Sequence, residues 1–328
     1  MSSLWIELPK PPVWFIRYFV VRADLTPRDI EILKAVAEYR ILTTSQLTLL
    51  IFPSPQMARK KIRELKAVGF FKMAERPSDS SAGRPESLVC LTSMGLKVLK
   101  DSGEIGADAT GDQITNLDFR SLGHQLLVNW VWIHLAQLVR QRSYLKVDFL
   151  FPSIHGGRYE ISLPDSRIAT SIIPDGIFSI TDTRHGKSLL FFLEVDMGTE
   201  TLSSSDTKTT DIRKKILSYQ QVFRAGSYKQ FEEMLPALFR GFRTLFVANT
   251  VARSLQLCRL VRSVPATDFI WLADQNSLFK SGISARIWTK GGDTKFGLHS
   301  ILGVFESFEY QLPLNKEPES GKLSSEKQ

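Results

Sequence analysis

Ser171-Ile172-Ile173-Pro174-Asp175-Gly176-Ile177-Phe178-Ser179-Ile180 and Ser188-Leu189-Leu190-Phe191-Phe192-Leu193-Glu194-Val195-Asp196 read as two buried strands carrying three carboxylates, Asp175, Glu194 and Asp196. Taking a lone carboxylate out of water is costly or shifts its pKa, so apolar strands rarely hold one without a partner. Between the runs lies Thr181-Asp182-Thr183-Arg184-His185-Gly186-Lys187, polar with one Gly, which reads as a hairpin turn. Paired positions of an antiparallel hairpin keep a constant index sum, so a turn centred near Arg184 or His185 sets Asp175 opposite Glu194. Strand side chains alternate, which puts Glu194 and Asp196 on one face. The three carboxylates are therefore expected to converge. Alone they repel one another; around a divalent cation they make a hard, oxygen-rich site suited to Mg²⁺ or Mn²⁺. A structural alternative stays open, in which Asp175 begins a turn and Glu194 and Asp196 pair with Arg213 or Lys214.

The 328 residues suffice for two domains with separate cores. An apolar content of 43% with 23% charged residues is that of a globular rather than a disordered chain. The formal net charge of +8 and a pI near 9.4 favour a polyanionic partner. Cys90 and Cys258 lie far apart and form no metal-binding spacing, so a reduced, cytoplasmic chain is expected. No apolar run approaches the ~18–20 residues of a membrane span. Val13–Val21 is interrupted by Arg17 and follows two prolines, which does not match a secretory signal. The tail 314–328 is polar and charged, and is expected to be disordered.

Near the N-terminus, Thr26-Pro27-Arg28-Asp29 opens a helix: Thr26 caps, Pro27 suits the first position and Asp29 favours the positive end. Ile30, Leu33, Val36 and Ala37 give it an apolar face. A second helix starts at Leu42-Thr43-Thr44-Ser45 and stops before Pro53. A third runs from Ser54-Pro55 to Val68 and is closed by Gly69. On that third helix Met57, Ala58, Ile62, Leu65 and Val68 fall on one arc, and Gln56, Arg59, Lys60, Arg63 and Lys66 on the other. Lys61 projects near the apolar edge. Three short helices with a tight second turn match a helix-turn-helix whose last helix lies in the major groove. Strands at Phe70–Glu75 and Glu86–Leu91 then flank a loop carrying Arg76 and Arg84, which reads as a wing reaching phosphate or the minor groove. Thr92 caps a further helix to Lys100. Residues 1–100 thus form an expected winged helix-turn-helix domain that binds double-stranded DNA.

Residues 101–120 read as a linker rich in Gly, Asp and Thr, and 121–313 as an α/β domain with a mixed sheet. Its elements run in the order helix (Leu122–Arg140), strand (Tyr144–Phe151), the hairpin, helix (Asp211–Phe223), strand (Arg243–Asn249), helix (Val251–Val261) and strand (Asp268–Ala273).

That order, with Pro174-Asp175 and Glu194-Val195-Asp196 at the hairpin, resembles the PD-(D/E)xK nuclease superfamily. The resemblance implies that Asp175 and Glu194 hold one or two Mg²⁺ ions while a Lys orients the nucleophile. Asp196 stands where that superfamily's Lys is usual. Lys214 and Lys215 on the following helix are the candidates to replace it, with Lys215 preferred because it lies one turn before Tyr219. His124 or Gln125 on the first helix stands where the superfamily often adds a further site residue. The chain also resembles the replication-relaxation family of plasmids and mobile elements. The residues that carry the resemblance are Leu25-Thr26-Pro27-Arg28-Asp29, Gln46-Leu47, Leu91-Thr92 with Gly95, Leu122-Gly123-His124, Pro174-Asp175-Gly176 and Glu194-Val195-Asp196-Met197-Gly198-Thr199-Glu200. It implies a role in plasmid replication or in the topological state of plasmid DNA, beside replication or mobilisation proteins.

The chain has no phosphate-binding G-x-x-x-x-G-K-[ST] string, no paired-His zinc motif and no G-x-S-x-G elbow, which sets aside nucleotide-driven motors, zinc hydrolases and serine hydrolases. Two readings remain. One is a DNA-binding protein with a metal-dependent nicking or cleaving domain built on Asp175, Glu194, Asp196 and Lys215. The other is a non-enzymatic replication initiator or transcription regulator with a degenerate nuclease-like domain. A homodimer stays open in either, although no heptad seam is present.

Overall fold

The computed structural model describes residues 25–74, 86–107, 109, 111, 121–151, 159–163, 171–204, 211–295 and 297–303. These divide into two units, 25–44 with 54–74 and 86–111 in the first, and 45–53 with 121–151 and the residues from 159 onward in the second. Arg76 and Arg84, part of the linker and the tail 314–328 lie outside the described residues.

In the first unit, α1 (Pro27–Tyr39) starts at a reciprocal cap. Thr26 Oγ1 accepts from Asp29 N at 3.2 Å, and Asp29 Oδ2 accepts from Thr26 N at 3.1 Å. Ile32, Leu33, Val36 and Ala37 are fully buried beneath it. After β1 (Leu42–Thr43) and the intervening residues of the other unit, helix α3 (Pro55–Ala67) begins at the Ser54 cap and buries Ala58, Ile62 and Leu65. Met57, expected on the same arc, is 53% exposed; it lies four residues before Lys61, on the edge of the buried stripe formed by Ala58, Ile62 and Leu65. Lys61 extends from that edge to an ion pair with Asp29 at 2.8 Å and a second with Glu64 at 3.2 Å. Strands β2 (Phe71–Ala74) and β3 (Leu88–Leu91) pair antiparallel, with β1 on the other side of β3. Helix α4 (Ser93–Asp101) starts at Thr92. It lies so close to the turn at Phe70 that a Cβ on Gly95 would stand 2.6 Å from the Phe70 carbonyl.

The second unit includes α2 (Thr44–Ile51) from Ser45 onward, which sequence reading had assigned to residues 1–100. Its last carbonyls lack helical partners, and α5 (Leu122–Gln141) supplies them. Gln137 Nε2 and Arg140 Nη1 each donate to Leu49 O at 2.9 Å, and Arg140 Nη2 donates to Leu50 O. Gln46, fully buried, donates to Leu126 O at 3.1 Å. Six strands form a mixed sheet in the order β11-β10-β9-β8-β7-β4: β4 (Leu145–Leu150), β7 (Gly176–Asp182), β8 (Lys187–Asp196), β9 (Phe242–Ala248), β10 (Ile270–Asp274) and β11 (Thr289–Lys290). Strands β4, β7 and β8 are antiparallel neighbours; β8, β9 and β10 run parallel. The parallel links carry α6 (Ile212–Ala225) and α7 (Val251–Arg262) as crossovers, and α8 (Gln275–Ser281) follows β10.

The run Ser171–Ile180 is not one strand. Ser171–Ile172 (β6) pairs with Ile161–Ser162 (β5), and β7 starts only at Gly176. Pro174 has no N–H for a ladder and ends the first segment. On one sheet face Phe178 and Phe191 stack at 4.8 Å and Trp132 of α5 meets Phe178 edge-on at 5.6 Å. On the other, Phe192, Tyr219, Phe231 and Phe242 pack together. Gly176 is dictated by the first cluster, since a Cβ there would stand 2.5 Å from the Trp132 ring.

Candidate active site

The β7–β8 turn fixes the site's register. Asp182 gathers the turn: it accepts from Arg184 N, Nε and Nη2 at 2.9, 3.1 and 2.8 Å and bonds His185 Nδ1 at 2.9 Å. These hydrogen bonds, Arg184 foremost, hold its carboxyl well below the usual range. Gly186 takes the left-handed conformation at φ 60°. The ladder then pairs Asp182 with Lys187 and, at its far end, Gly176 with Leu193. Asp175 N donates to Leu193 O at 3.0 Å, so Asp175 stands opposite Glu194, as the index sum requires.

Asp175 Oδ2 accepts from Val195 N at 2.8 Å and bonds His124 Nε2 at 3.0 Å. His124 sits in the first turn of α5, where that helix passes close to the end of β8; a Cβ on Gly123 would be 3.2 Å from the Met197 methyl. Burial works against an imidazolium there, but the hydrogen bond and charge of Asp175, with Glu194 behind it, outweigh burial and lift the His124 pKa above its ordinary value. Gln125, the other candidate on this helix, donates instead to Asn129 Oδ1 at 2.9 Å.

Glu194 is 2% exposed, and both of its oxygens are engaged by α6. Tyr219 OH donates to Oε1 at 2.5 Å, and Lys215 Nζ donates to Oε2 at 3.1 Å and to Glu200 Oε1 at 2.9 Å. The i, i+4 spacing stacks Lys215 and Tyr219 on one helix face. Asp211 caps that helix through Lys214 N at 2.8 Å and orients it. Lys214 itself lies 3.9 Å from Asp211. Burial, with Asp175 nearby, pushes the Glu194 carboxyl up to about 7 against the pull of Lys215 and Tyr219. Burial alone would lower Lys215, but Glu194, Glu200 and Asp175 outweigh it and keep the ammonium charged. Tyr219 is fully buried; burial and the Glu194 charge raise its pKa, so its phenol stays protonated and acts as a donor.

Asp196 shares Glu194's face but not its neighbours. Arg253 Nε donates to Oδ2 at 2.7 Å and Gly198 N to Oδ1 at 2.7 Å. Arg253 also donates to Glu200 O. The structure therefore gives each carboxylate its own partners: His124 on Asp175, Lys215 and Tyr219 on Glu194, and on Asp196 a guanidinium, Arg253, in a charge-assisted pair. Sequence reading supplied no signal for Arg253, 57 positions away. Tyr219 was not among the expected site residues, although its i, i+4 relation to Lys215 is visible in the sequence.

Among the described residues no three His, Cys, Asp or Glu side chains are grouped to hold a metal ion. Each of the three expected carboxylates is engaged by protein donors. Asp175 and Glu194 remain as two hard donors facing each other at the carboxyl end of β8. Two carboxylates are what Mg²⁺ uses where water and phosphate complete its shell, so the donor chemistry of Asp175 and Glu194 fits such an ion once the Tyr219 and Lys215 contacts to Glu194 make room for it.

In the first unit, Gln56, Arg59, Lys60, Arg63 and Lys66 are all exposed on α3. Among the described residues no helix is long and apolar enough to cross a membrane.

The family model described as Replication-relaxation matches residues 33–238, from α1 through the hairpin and α6. No curated protein matches the chain. The match spans more than half of the 328 residues, and the chain belongs to the replication-relaxation family.

Proposed function

We propose that this protein binds double-stranded DNA of a plasmid or mobile element and nicks or cleaves it during replication or relaxation. The observation that carries the proposal is the Lys215 ammonium at 3.1 Å from the buried Glu194, with Asp175 opposite on the paired strand. The helix–strand–strand–strand–helix–strand order around that pair supports a PD-(D/E)xK nuclease-like fold with its Lys moved to the following helix. In this reading Asp175 and Glu194 hold Mg²⁺ or Mn²⁺, which supplies Lewis-acid activation of water and phosphate when bound. Tyr219 fixes the Glu194 carboxylate, His124 fixes that of Asp175, and Lys215 stabilises charge developing on the phosphate. The order helix, strand, helix, helix, hairpin in residues 27–91 supports a winged helix-turn-helix. Gln56, Arg59, Lys60, Arg63 and Lys66 would then face the major groove, and Arg76 and Arg84, outside the described residues, remain proposed DNA-binding residues. Replication or mobilisation proteins are the further partners this role implies, in the cytoplasm, and a homodimer would suit a symmetric site.

A second reading has its own observation: both oxygens of Glu194 already have protein donors. On that reading the domain is a degenerate scaffold, and the protein acts by binding alone, as an initiator or regulator. Labelled duplex DNA with Mg²⁺ or Mn²⁺ separates the two. Lys215→Met should abolish cleavage and leave the anisotropy-measured Kd unchanged. Cleavage that survives this change rejects the proposed centre. Binding by wild type without any cleavage favours the second reading.

A further inference from the structure

At the other end of the strands that carry the carboxylates, a cleft of about 400 Å³ opens beside the starts of β8 and β9. It is lined by Arg240, Arg243 and Lys290, with Trp271 and Phe269 as its apolar wall and Asp268 at its rim. The three cations come from three places in the chain: the approach to β9, β9 itself and β11. Against the single carboxylate they leave a net charge of +2 (three cations minus Asp268).

Arg243 is the informative member. It is partly buried, stacks over the Trp271 ring at 4.3 Å, and donates through Nη1 to Ile301 O at 2.8 Å. Among the described residues no carboxylate pairs with it. Burial pulls its pKa below the ordinary arginine value. A desolvated cation without a counter-charge is unfavourable unless an anion completes it. The ring and the carbonyl hold the guanidinium in place without neutralising it, which is the arrangement of a preformed anion receptor. Lys290 reaches Asp268 only at 3.5 Å, with Asp268 88% exposed, so that pairing is weak. Arg240 is exposed at the mouth.

The cleft is not part of the carboxylate site. Leu189 lines it, and Glu194 lies five residues further along the same strand, about 17 Å at strand rise. One phosphate cannot reach both.

We propose that the Arg240–Arg243–Lys290 cleft is a second binding site for the phosphodiester backbone of DNA, separate from the carboxylate centre. The choice of DNA as occupant rests on the binding reading above; the anion site stands on its own residues. Its contribution is electrostatic, through cations that meet phosphate, and so the same for unrelated base sequences.

The test uses the full chain and fluorescein-labelled duplexes of two unrelated sequences, with Kd measured by anisotropy across a salt series. The variant is Arg240→Gln with Lys290→Gln, two accessible cations whose loss leaves the partly buried Arg243 and the fold in place. Lys229→Gln with Lys280→Gln, two exposed cations outside the cleft, controls for net charge. The cleft variant should weaken binding equally for both sequences and flatten the log–log salt slope by about 1.8, at about 0.9 per lost phosphate contact. The control pair should leave the slope unchanged. Equal slopes for the cleft variant and wild type overturn the proposal, as does an equal loss in the control pair. Arg59→Ala with Arg63→Ala, measured alongside, distinguishes the failures. If these lower affinity and the cleft variant does not, the cleft proposal alone falls. If wild type binds neither duplex, the DNA-binding reading falls with it.

Discussion

Tyr219→Phe removes one oxygen from a fully buried side chain and leaves the ring where it packs on Phe192 and Phe242. What is lost is the 2.5 Å hydrogen bond to Glu194 Oε1, on a carboxylate that is only 2% exposed. A hydrogen bond to a charged group contributes about 1.5–3 kcal/mol, and the orphaned oxygen has no water to replace it. For a unit of this size that lowers Tm by roughly 3–12 °C. The effect depends on pH, because Tyr219 stabilises the ionised carboxylate. Glu194 has its pKa raised to about 7 in the fold, from its ordinary 4.5. At pH 8 it is mostly ionised and the full loss should appear. At pH 5.5 it is mostly protonated in the fold, the bond becomes one between neutral groups, and the difference should shrink to about 1 kcal/mol. Denaturant melts of wild type and variant in EDTA at the two pH values read this directly. A difference below about 0.5 kcal/mol at pH 8, or one that grows as the pH falls, refutes the assignment of Tyr219 as the donor that holds Glu194.

Further outcomes follow from the same geometry. The raised carboxyl pKa means the folded state binds more protons than the unfolded one between pH 4.5 and about 7, so this group makes stability fall as pH rises through that window; Glu194→Gln should remove that slope in equilibrium melts, and an unchanged slope contradicts the burial argument. Arg253→Ala leaves Asp196 buried at 4% exposure without its cation and should cost about 3–5 kcal/mol, whereas adding Asp196→Asn should recover part of it; a neutral Arg253→Ala would deny the pair. Gly176→Ala forces a methyl into the Trp132 ring and should destabilise by about 1–3 kcal/mol in urea melts, with Trp132→Leu relieving the change. Arg59→Ala should reduce the salt slope of DNA binding by about 0.9, and an unchanged slope removes α3 as the contact helix.

The hairpin was legible because its information is local: two apolar runs, a polar turn with one Gly, and an index sum that sets Asp175 against Glu194. The capped helices α1, α3 and α4 were legible for the same reason, each announced by Thr26, Ser54 or Thr92. The break at Pro174 was also local, but the apolar residues on both sides masked it until the separate pairing of Ser171–Ile172 with Ile161–Ser162 became visible. Long-range choices were not legible. Whether Asp196 joins Glu194 or turns to Arg253 depends on where α7 docks, and the periodicity of β8 gives both side chains the same face. The packing of Ser45–Pro53 with α5 depends on Gln137 and Arg140, nearly 90 residues away, meeting the carbonyls of Leu49 and Leu50. Met57 lies at the edge of the apolar arc, and a helical wheel does not show how much of that arc the core covers.

In the proposed reading Asp175, Glu194 and Lys215 form a strand-cleaving centre. Incubation of supercoiled plasmid with the purified protein and Mg²⁺ or Mn²⁺, beside Asp175→Ala, tests it most directly. The account predicts nicked or linear DNA with wild type and intact plasmid with the variant, while both still shift the plasmid on a gel. Intact plasmid with wild type, or equal cleavage by Asp175→Ala, would contradict it.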